Sequence, residues 1–122
     1  MNKFILILGL VLPALAFPVL NMYTLADKNV TTAGTRVRVY ATDLFVHVVT
    51  IQAKKANTGK IYVGDSAVSS SQGHQLEAGE SYVINGMIEK QFLEQVNLKN
   101  IWIDSSANGE GVHISYIMRE AQ

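Results

Sequence analysis

The sequence predicts an all-β protein, an antiparallel β-sandwich of jelly-roll-like form, with an apolar helix at its amino terminus. Past Asp27, apolar residues recur at every second position in short runs, which is the period of half-buried strands. Turn signals that contain glycine separate these runs at a spacing of roughly ten to fifteen residues, as in sandwiches and barrels. The chain therefore divides into an apolar segment, residues 1–26, and a β-domain, residues 27–122.

The apolar segment carries one charge, Lys3, and is then uncharged from residue 4 to residue 26. As a helix, these 23 residues would span roughly 35 Å, which exceeds the ~30 Å hydrocarbon core of a bilayer. We therefore expect a membrane anchor and contact with a lipid bilayer through residues 4–26. The side chains that would form the anchor are Phe4, Ile5, Leu6, Ile7, Leu8, Leu10, Val11, Leu12, Leu15, Phe17, Val19 and Leu20.

Two alternatives for this segment remain open. Residues 1–3, 4–12 and 14–16 match the positive region, the apolar run and the small-residue cleavage site of a secretory signal peptide. Pro13 and Pro18 would interrupt a straight helix, because each removes a backbone donor and crowds the preceding turn. The segment could also be an arm that packs into a socket on a partner protein.

The first predicted strand of the β-domain, residues 35–40, places Val37 and Val39 on one face and Arg36 and Arg38 on the other. A charged face is typical of an edge strand, because it prevents unwanted strand pairing. The same two arginines would also suit an acidic neighbouring subunit, so both interpretations stand.

The next strand, residues 45–53, is partly apolar on both faces, which is typical of a central strand. Four more runs complete the set, at residues 60–63, 81–84, 100–103 and 112–117. Residues 87–96 differ, because Ile88, Phe92 and Val96 recur at intervals of four and predict a short helix or irregular crossover. The predicted core consists of Val37, Val39, Val49, Ile51, Val63, Ile101, Ile103, Val112 and Ile114.

The composition excludes several kinds of function. Ten basic residues balance ten acidic residues, so no overall field would attract nucleic acid. The chain has no cysteine, which excludes disulfides, thiol catalysis and cysteine-ligated metal sites. It also has no nucleophile elbow, no phosphate-binding glycine loop and no helical zinc motif.

The histidines and carboxylates are the remaining candidates for chemistry. His47 and His113 lie in predicted strands and could face each other, but no spacing supplies the third ligand that a metal site needs. His74 lies in a polar loop, and the carboxylates fall in or beside turns, where they cap backbone groups or are solvated. We therefore expect no enzyme, no metal, no cofactor and no small-molecule substrate, with a small hydrolase or metal-binding enzyme as an alternative.

Several motifs of the β-domain resemble a small domain of bacteriophage virion proteins. They are the strand at residues 48–53, the hairpin that contains Tyr62-Val63-Gly64, the turn that ends in Gly79-Glu80-Ser81, and the final strand pair at residues 98–104 and 109–116. The resemblance extends from about Arg36 to Tyr116. It implies a compact β-sandwich in a head-decoration, fibre-base, spike or tail-associated module, without catalysis or a bound cofactor. The residues around 87–95 and the apolar amino terminus depart from the pattern.

These observations lead to one expected function. The protein is expected to be a non-enzymatic structural component of a virion, associated with the virion or host membrane. It would contact other virion structural proteins and further copies of itself, as a homo-oligomer. The alternative is a periplasmic or secreted β-sandwich that binds a partner after its signal peptide is removed.

Overall fold

The structure is a computed structural model that describes residues 19–86 and 95–119. Within these residues all strand pairs are antiparallel, and they form sheets of five, four and two strands. The strands are β1 (Leu20–Thr24), β2 (Lys28–Val30), β3 (Val37–Arg38), β4 (Phe45–Val46), β5 (Val48–Ala53), β6 (Ile61–Gly64), β7 (His74–Leu76), β8 (Ser81–Asn85), β9 (Val96–Asn97), β10 (Trp102–Ser105) and β11 (Glu110–Arg119).

The five-stranded sheet is built around β5 and β11. Its order is β1-β11-β5-β8, and β2 pairs with the beginning of β11. Along β5, Val49, Ile51 and Ala53 are buried, while the residues between them are half-buried. The prediction of a central strand at residues 45–53 is confirmed for residues 48–53, because β5 has a partner on both sides, whereas Phe45–Val46 form β4 in a different sheet.

The four-stranded sheet has the order β3-β10-β6-β7. In the described part of the chain β3 pairs only with β10, which confirms the prediction that this strand lies at an edge. A separate two-stranded ribbon joins β4 to β9.

Buried residues of both larger sheets form one hydrophobic cluster. Of the nine residues predicted for the core, eight are buried, and they are Val39, Val49, Ile51, Val63, Ile101, Ile103, Val112 and Ile114. Val37 is the exception: it is only half-buried and packs against the cluster from outside. Its place in the edge strand β3 explains the difference, because one side of such a strand has no neighbour to cover it.

The predicted apolar helix does not extend to residue 26. Leu20–Thr24 form β1, which pairs with the last five residues of β11, and the Leu25 N–H donates to the Ile114 carbonyl oxygen (3.0 Å). Leu20 therefore belongs to the five-stranded sheet and not to a helix. The backbone groups along this side of β11 need hydrogen-bond partners, and β1 provides them.

Of the other residues of the predicted anchor, Val19 is exposed just before β1, and those from Phe4 to Phe17 lie outside the described residues. So does most of the predicted helix at residues 87–96. Val96, the last residue of that predicted helix, is in the strand β9. In the part of the chain that the structure describes, no helix has the length and hydropathy that a membrane crossing requires.

Candidate interaction surface

The outward side of the five-stranded sheet brings apolar residues of four strands together. Its register places Met22 beside Ile117 and Ile117 beside Val48, while Ser115 and Thr50 connect Thr24 to Val83 in the next row. These residues alternate with the buried ones, so they point away from the core. We call this surface the outer face, and it consists of Leu20, Met22, Thr24, Val48, Thr50, Val83, Ser115 and Ile117.

The outer face is largely apolar and accessible, and the exposed Arg119, which lies opposite Leu20, borders it. The exposed fractions of Met22, Val83 and Leu20 are 71%, 55% and 40%. Val48 and Ile117, which lie between them, are half-buried. Single exposed apolar residues are ordinary on protein surfaces, but a contiguous group of them is typical of a site that contacts another molecule.

The edges of this sheet add to the surface. Among residues 19–86 and 95–119, β1 pairs only with β11 and β8 only with β5. An edge strand presents backbone donors and acceptors on its free side, which a strand of another chain can use. Both the face and the edges of this sheet are therefore suited to contact with protein.

The structure separates the histidines that the sequence placed in facing strands. His113 lies opposite Gln52, and its Nδ1 is 2.9 Å from Asp27 Oδ1. His47 is buried at the break between β4 and β5, and its backbone N–H donates to the Ile117 carbonyl oxygen. His74 stacks on Tyr82 with ring centroids 3.9 Å apart.

The histidines thus do not form a shared site. Nowhere in the described ranges do three histidine, aspartate or glutamate side chains come together as metal ligands.

Asp27 joins the turn between β1 and β2 to the neighbouring strands. Its carboxylate contacts His113 and also lies 3.3 Å from Lys54 Nζ. The hydrogen bond from His113, assisted by Lys54, lowers the pKa of Asp27 despite some loss of hydration. All three side chains are partly exposed, so this cluster supports the local structure and adds only modest stability.

Other carboxylates cap turns, as the sequence predicted. Asp65 Oδ1 accepts a hydrogen bond from the Ala67 N–H (2.8 Å), and Glu80 Oε1 accepts one from the Glu77 N–H (2.6 Å). Their partners are backbone groups two or three residues away, which is typical of turn stabilisation. These carboxylates have a structural explanation.

The two arginines of the first predicted strand have different surroundings. The Arg38 guanidinium lies 4.6 Å from the centre of the Trp102 ring, on the neighbouring strand β10. This cation–π contact covers the aromatic ring at the edge of the four-stranded sheet. Arg36 is exposed and lies beside a cleft.

The sequence did not reveal the outer face. Leu20 and Met22 fall in the segment that the composition predicts to be a helix, while Val48 and Ile117 belong to predicted strands whose outward residues the sequence does not identify. The spacing of Leu20, Met22 and Thr24 by two residues is compatible with a strand. It does not identify the strand's partner, because β11 is far away in the chain.

No protein-family model, no curated protein and no solved structure matches this chain. Its function is therefore inferred from the surface described above and from the motifs of the sequence.

Proposed function

We propose that this protein is a non-enzymatic structural subunit of a bacteriophage virion. In this proposal its two larger sheets form a jelly-roll-like β-sandwich, which assembles with further copies of itself and with other virion proteins. The exposed, largely apolar outer face is the observation that carries the proposal. The single hydrophobic cluster that both sheets share supports the sandwich, and the motifs between Arg36 and Tyr116 support the virion role.

The occupant proposed for the outer face is the same face of a second copy. The eight residues of the face are uncharged, so their contact would bury no charge, while Arg119 lies at the border of the face, opposite Leu20. Sheets pack face to face at about 10 Å when their outward side chains interdigitate. With a two-fold axis along the strands, β1 of one copy would lie over β8 of the other, so that the same surface forms both halves of the contact.

The area of the face sets the strength of this contact. The eight residues of the face, each occupying about 4.8 Å by 6.8 Å of sheet, give a patch of roughly 260 Å². A standard stable interface buries about 800 Å² on each partner. The pair would therefore be weak in free solution, and many such contacts acting together would hold the subunit in a particle.

Sedimentation velocity of the full chain in mild detergent tests this contact. The wild-type protein should associate as its concentration rises, and Met22→Glu should abolish association because it would place a charge in each copy's buried contact. Gln75→Glu adds the same charge on the exposed residue of β7 in the other sheet and should associate like the wild type. Association of Met22→Glu equal to that of the wild type would disprove the role of the outer face.

Detection of the protein in purified bacteriophage particles tests the virion role separately. The protein should remain with capsid or tail components after free protein and host membranes are removed. Its loss at that stage, with self-association intact, would reject the virion role and leave the outer face as a dimer contact.

The start of β1 favours a second candidate function, that of an exported periplasmic or secreted binding module. Because the sheet begins at Leu20, the uncharged run before it is residues 4–19, or 16 residues. As a helix, this run would span about 24 Å, which is less than the ~30 Å core of a bilayer. This length suits a signal peptide that is cleaved after Ala16 better than it suits a membrane-spanning anchor.

Intact-mass measurement of the protein from its native cell decides between these candidates. A mass without residues 1–16 supports export and rejects the anchor. A mass that includes Lys3 and the whole apolar run supports retention, as an anchor in a membrane or in a protein socket.

A further inference from the structure

A polar cleft of about 370 Å³ lies away from the outer face. Three segments surround it: the loop before β3, the connection between β6 and β7, and the end of β10 with the turn that follows. The residues that line it are Ala33, Gly34, Arg36, Ser69, Ser70, Asp104, Ser105 and Ser106. The volume is near the lower end of the range of small-molecule sites, about 300–1,000 Å³.

Asp104 supplies a buried carboxylate to this cleft. Its exposed fraction is only 3%, and its Oδ1 accepts hydrogen bonds from the N–H groups of Gly34 (2.9 Å) and Ser105 (2.8 Å). The other oxygen, Oδ2, has no hydrogen-bond partner among the described residues. Because Asp104 lines the cleft, this oxygen is available to a hydrogen-bond donor that enters it.

The loop before β3 holds one wall of the cleft in place. The Ala33 N–H donates to Asn108 Oδ1 (2.8 Å), and the Thr35 N–H donates to the Thr32 carbonyl oxygen (3.0 Å). Gly34 has a φ of 89°, a left-handed conformation that directs its N–H to Asp104 and that favours glycine.

The opposite wall is also fixed by hydrogen bonds. Ser69 and Gln72 exchange two backbone hydrogen bonds, of 2.9 and 3.2 Å, and Val68 beside them is 1% exposed. Since both walls are held in place without a ligand, binding would require little ordering of the protein.

The mouth of the cleft carries a positive charge. Arg36 is exposed, and no acidic side chain of the described residues pairs with its guanidinium. Within the same residues the Ser70 hydroxyl makes no hydrogen bond, whereas the Ser105 hydroxyl donates to the Ala107 carbonyl oxygen (2.6 Å). The cleft therefore offers a free cation, a free carboxylate oxygen and a free hydroxyl.

We propose that this cleft binds an acidic sugar, a pyranose that bears a carboxylate. The sugar carboxylate would pair with the planar guanidinium of Arg36, a geometry that arginine favours. The ring hydroxyls would donate hydrogen bonds to Asp104 Oδ2 and form hydrogen bonds with the Ser70 hydroxyl. A purely cationic ligand is disfavoured by Arg36 and a phosphate dianion by Asp104, so the cleft favours a ligand that offers a carboxylate to Arg36 and hydrogen-bond donors to Asp104.

An NMR titration of the isotope-labelled full chain in mild detergent tests the proposal, with D-glucuronate as the probe. Glucuronate should shift the amide signals of Gly34 and Ser105 in a saturable way, in the millimolar range expected of a small ligand with few contacts. Acetate tests for a simple anion, and D-glucose tests for a neutral sugar. Each should bind at least about tenfold more weakly than glucuronate, because acetate lacks the ring hydroxyls and glucose lacks the carboxylate.

Matched arginine variants complete the test. Arg36→Gln should weaken glucuronate binding by about tenfold or more, since it removes a charge-assisted contact. Arg119→Gln changes an exposed arginine at the far end of β11 and should leave binding unchanged. The proposal fails if glucuronate causes no saturable shift, if acetate binds equally well, or if Arg36→Gln binds like the wild type while remaining folded by circular dichroism.

Discussion

Replacing Glu110 with glutamine should destabilise the protein, because this carboxylate holds the turn before β6. Glu110 is only 5% exposed, at the beginning of β11. Its Oε1 accepts hydrogen bonds from the Thr58 N–H (2.8 Å), the Thr58 hydroxyl (2.8 Å) and the Gly59 N–H (2.7 Å). Burial by itself would raise the pKa of Glu110, but these three donors outweigh burial and lower the pKa.

The size of the effect follows from these bonds. A hydrogen bond to a charged group contributes about 1.5–3 kcal/mol, against about 1 kcal/mol for a neutral one. Glutamine keeps an oxygen acceptor but loses the charge, and it also avoids the cost of burying that charge. We therefore expect Glu110→Gln to lower the free energy of unfolding by about 1–2 kcal/mol, which corresponds to a fall of about 4–16 °C in Tm.

Thermal melts of the full chain followed by circular dichroism, between neutral pH and pH values below 4, would measure the effect. Because folding lowers the pKa of Glu110, its ionised form adds stability above the unfolded-state pKa, near 4.5. That stability is lost as the pH falls through the lower pKa of the folded protein. The difference between the wild type and Glu110→Gln should therefore be full at neutral pH and should shrink below pH 4.5.

Glu77→Gln is the matched control, since Glu77 is exposed and forms only a long ion pair with Lys60 (3.7 Å). Its effect should stay within about 0.5 kcal/mol. A Glu110→Gln protein as stable as the wild type at neutral pH would refute this account of the turn. A deficit that stays the same at low pH would show that lost packing, and not lost charge, causes the change.

Two further predictions concern the core and the turns. Ile103→Ala should cost about 2–5 kcal/mol, because Ile103 is fully buried between the sheets, and a lower urea midpoint would measure it. Gly73→Ala should cost more than Gly34→Ala: a Cβ at Gly73 would lie 2.9 Å from the Val63 carbonyl oxygen, whereas a Cβ at Gly34 meets nothing within 4 Å. Both glycines have positive φ, so backbone strain of about 1 kcal/mol is common to both variants. Equal losses in urea denaturation would contradict this steric argument.

The sequence predicted the parts of the fold whose signal is local. Along β5, buried and half-buried residues alternate, so Val49 and Ile51 could be assigned to the core from their spacing alone. The strand β1 could not be assigned in this way, because its outward residues, Leu20 and Met22, are apolar and continue the composition of the preceding segment. Only its pairing with the distant β11 distinguishes it from the helix that the composition predicts.

The sequence does not predict the cleft, for a related reason. Gly34 and Asp104 are 70 residues apart, and nothing in linear order selects that carboxylate over the others that follow strands or turns. Its special property is that one oxygen is occupied by backbone donors and the other is free. This property arises only from the tertiary structure, since the donors belong to two different segments.

The long strand β11 separates the cleft from the outer face. Asn108, which holds the Ala33 wall of the cleft, comes just before β11, while Ile117 of the outer face lies nine residues further along. At about 3.4 Å per residue this separation is about 30 Å. Copies that associate through the outer face would thus leave the cleft open. Accordingly, Met22→Glu should bind glucuronate like the wild type, and Arg36→Gln should associate like the wild type. If either variant changed both properties, one of the two surfaces would be acting through the other, and this division of the molecule would be wrong.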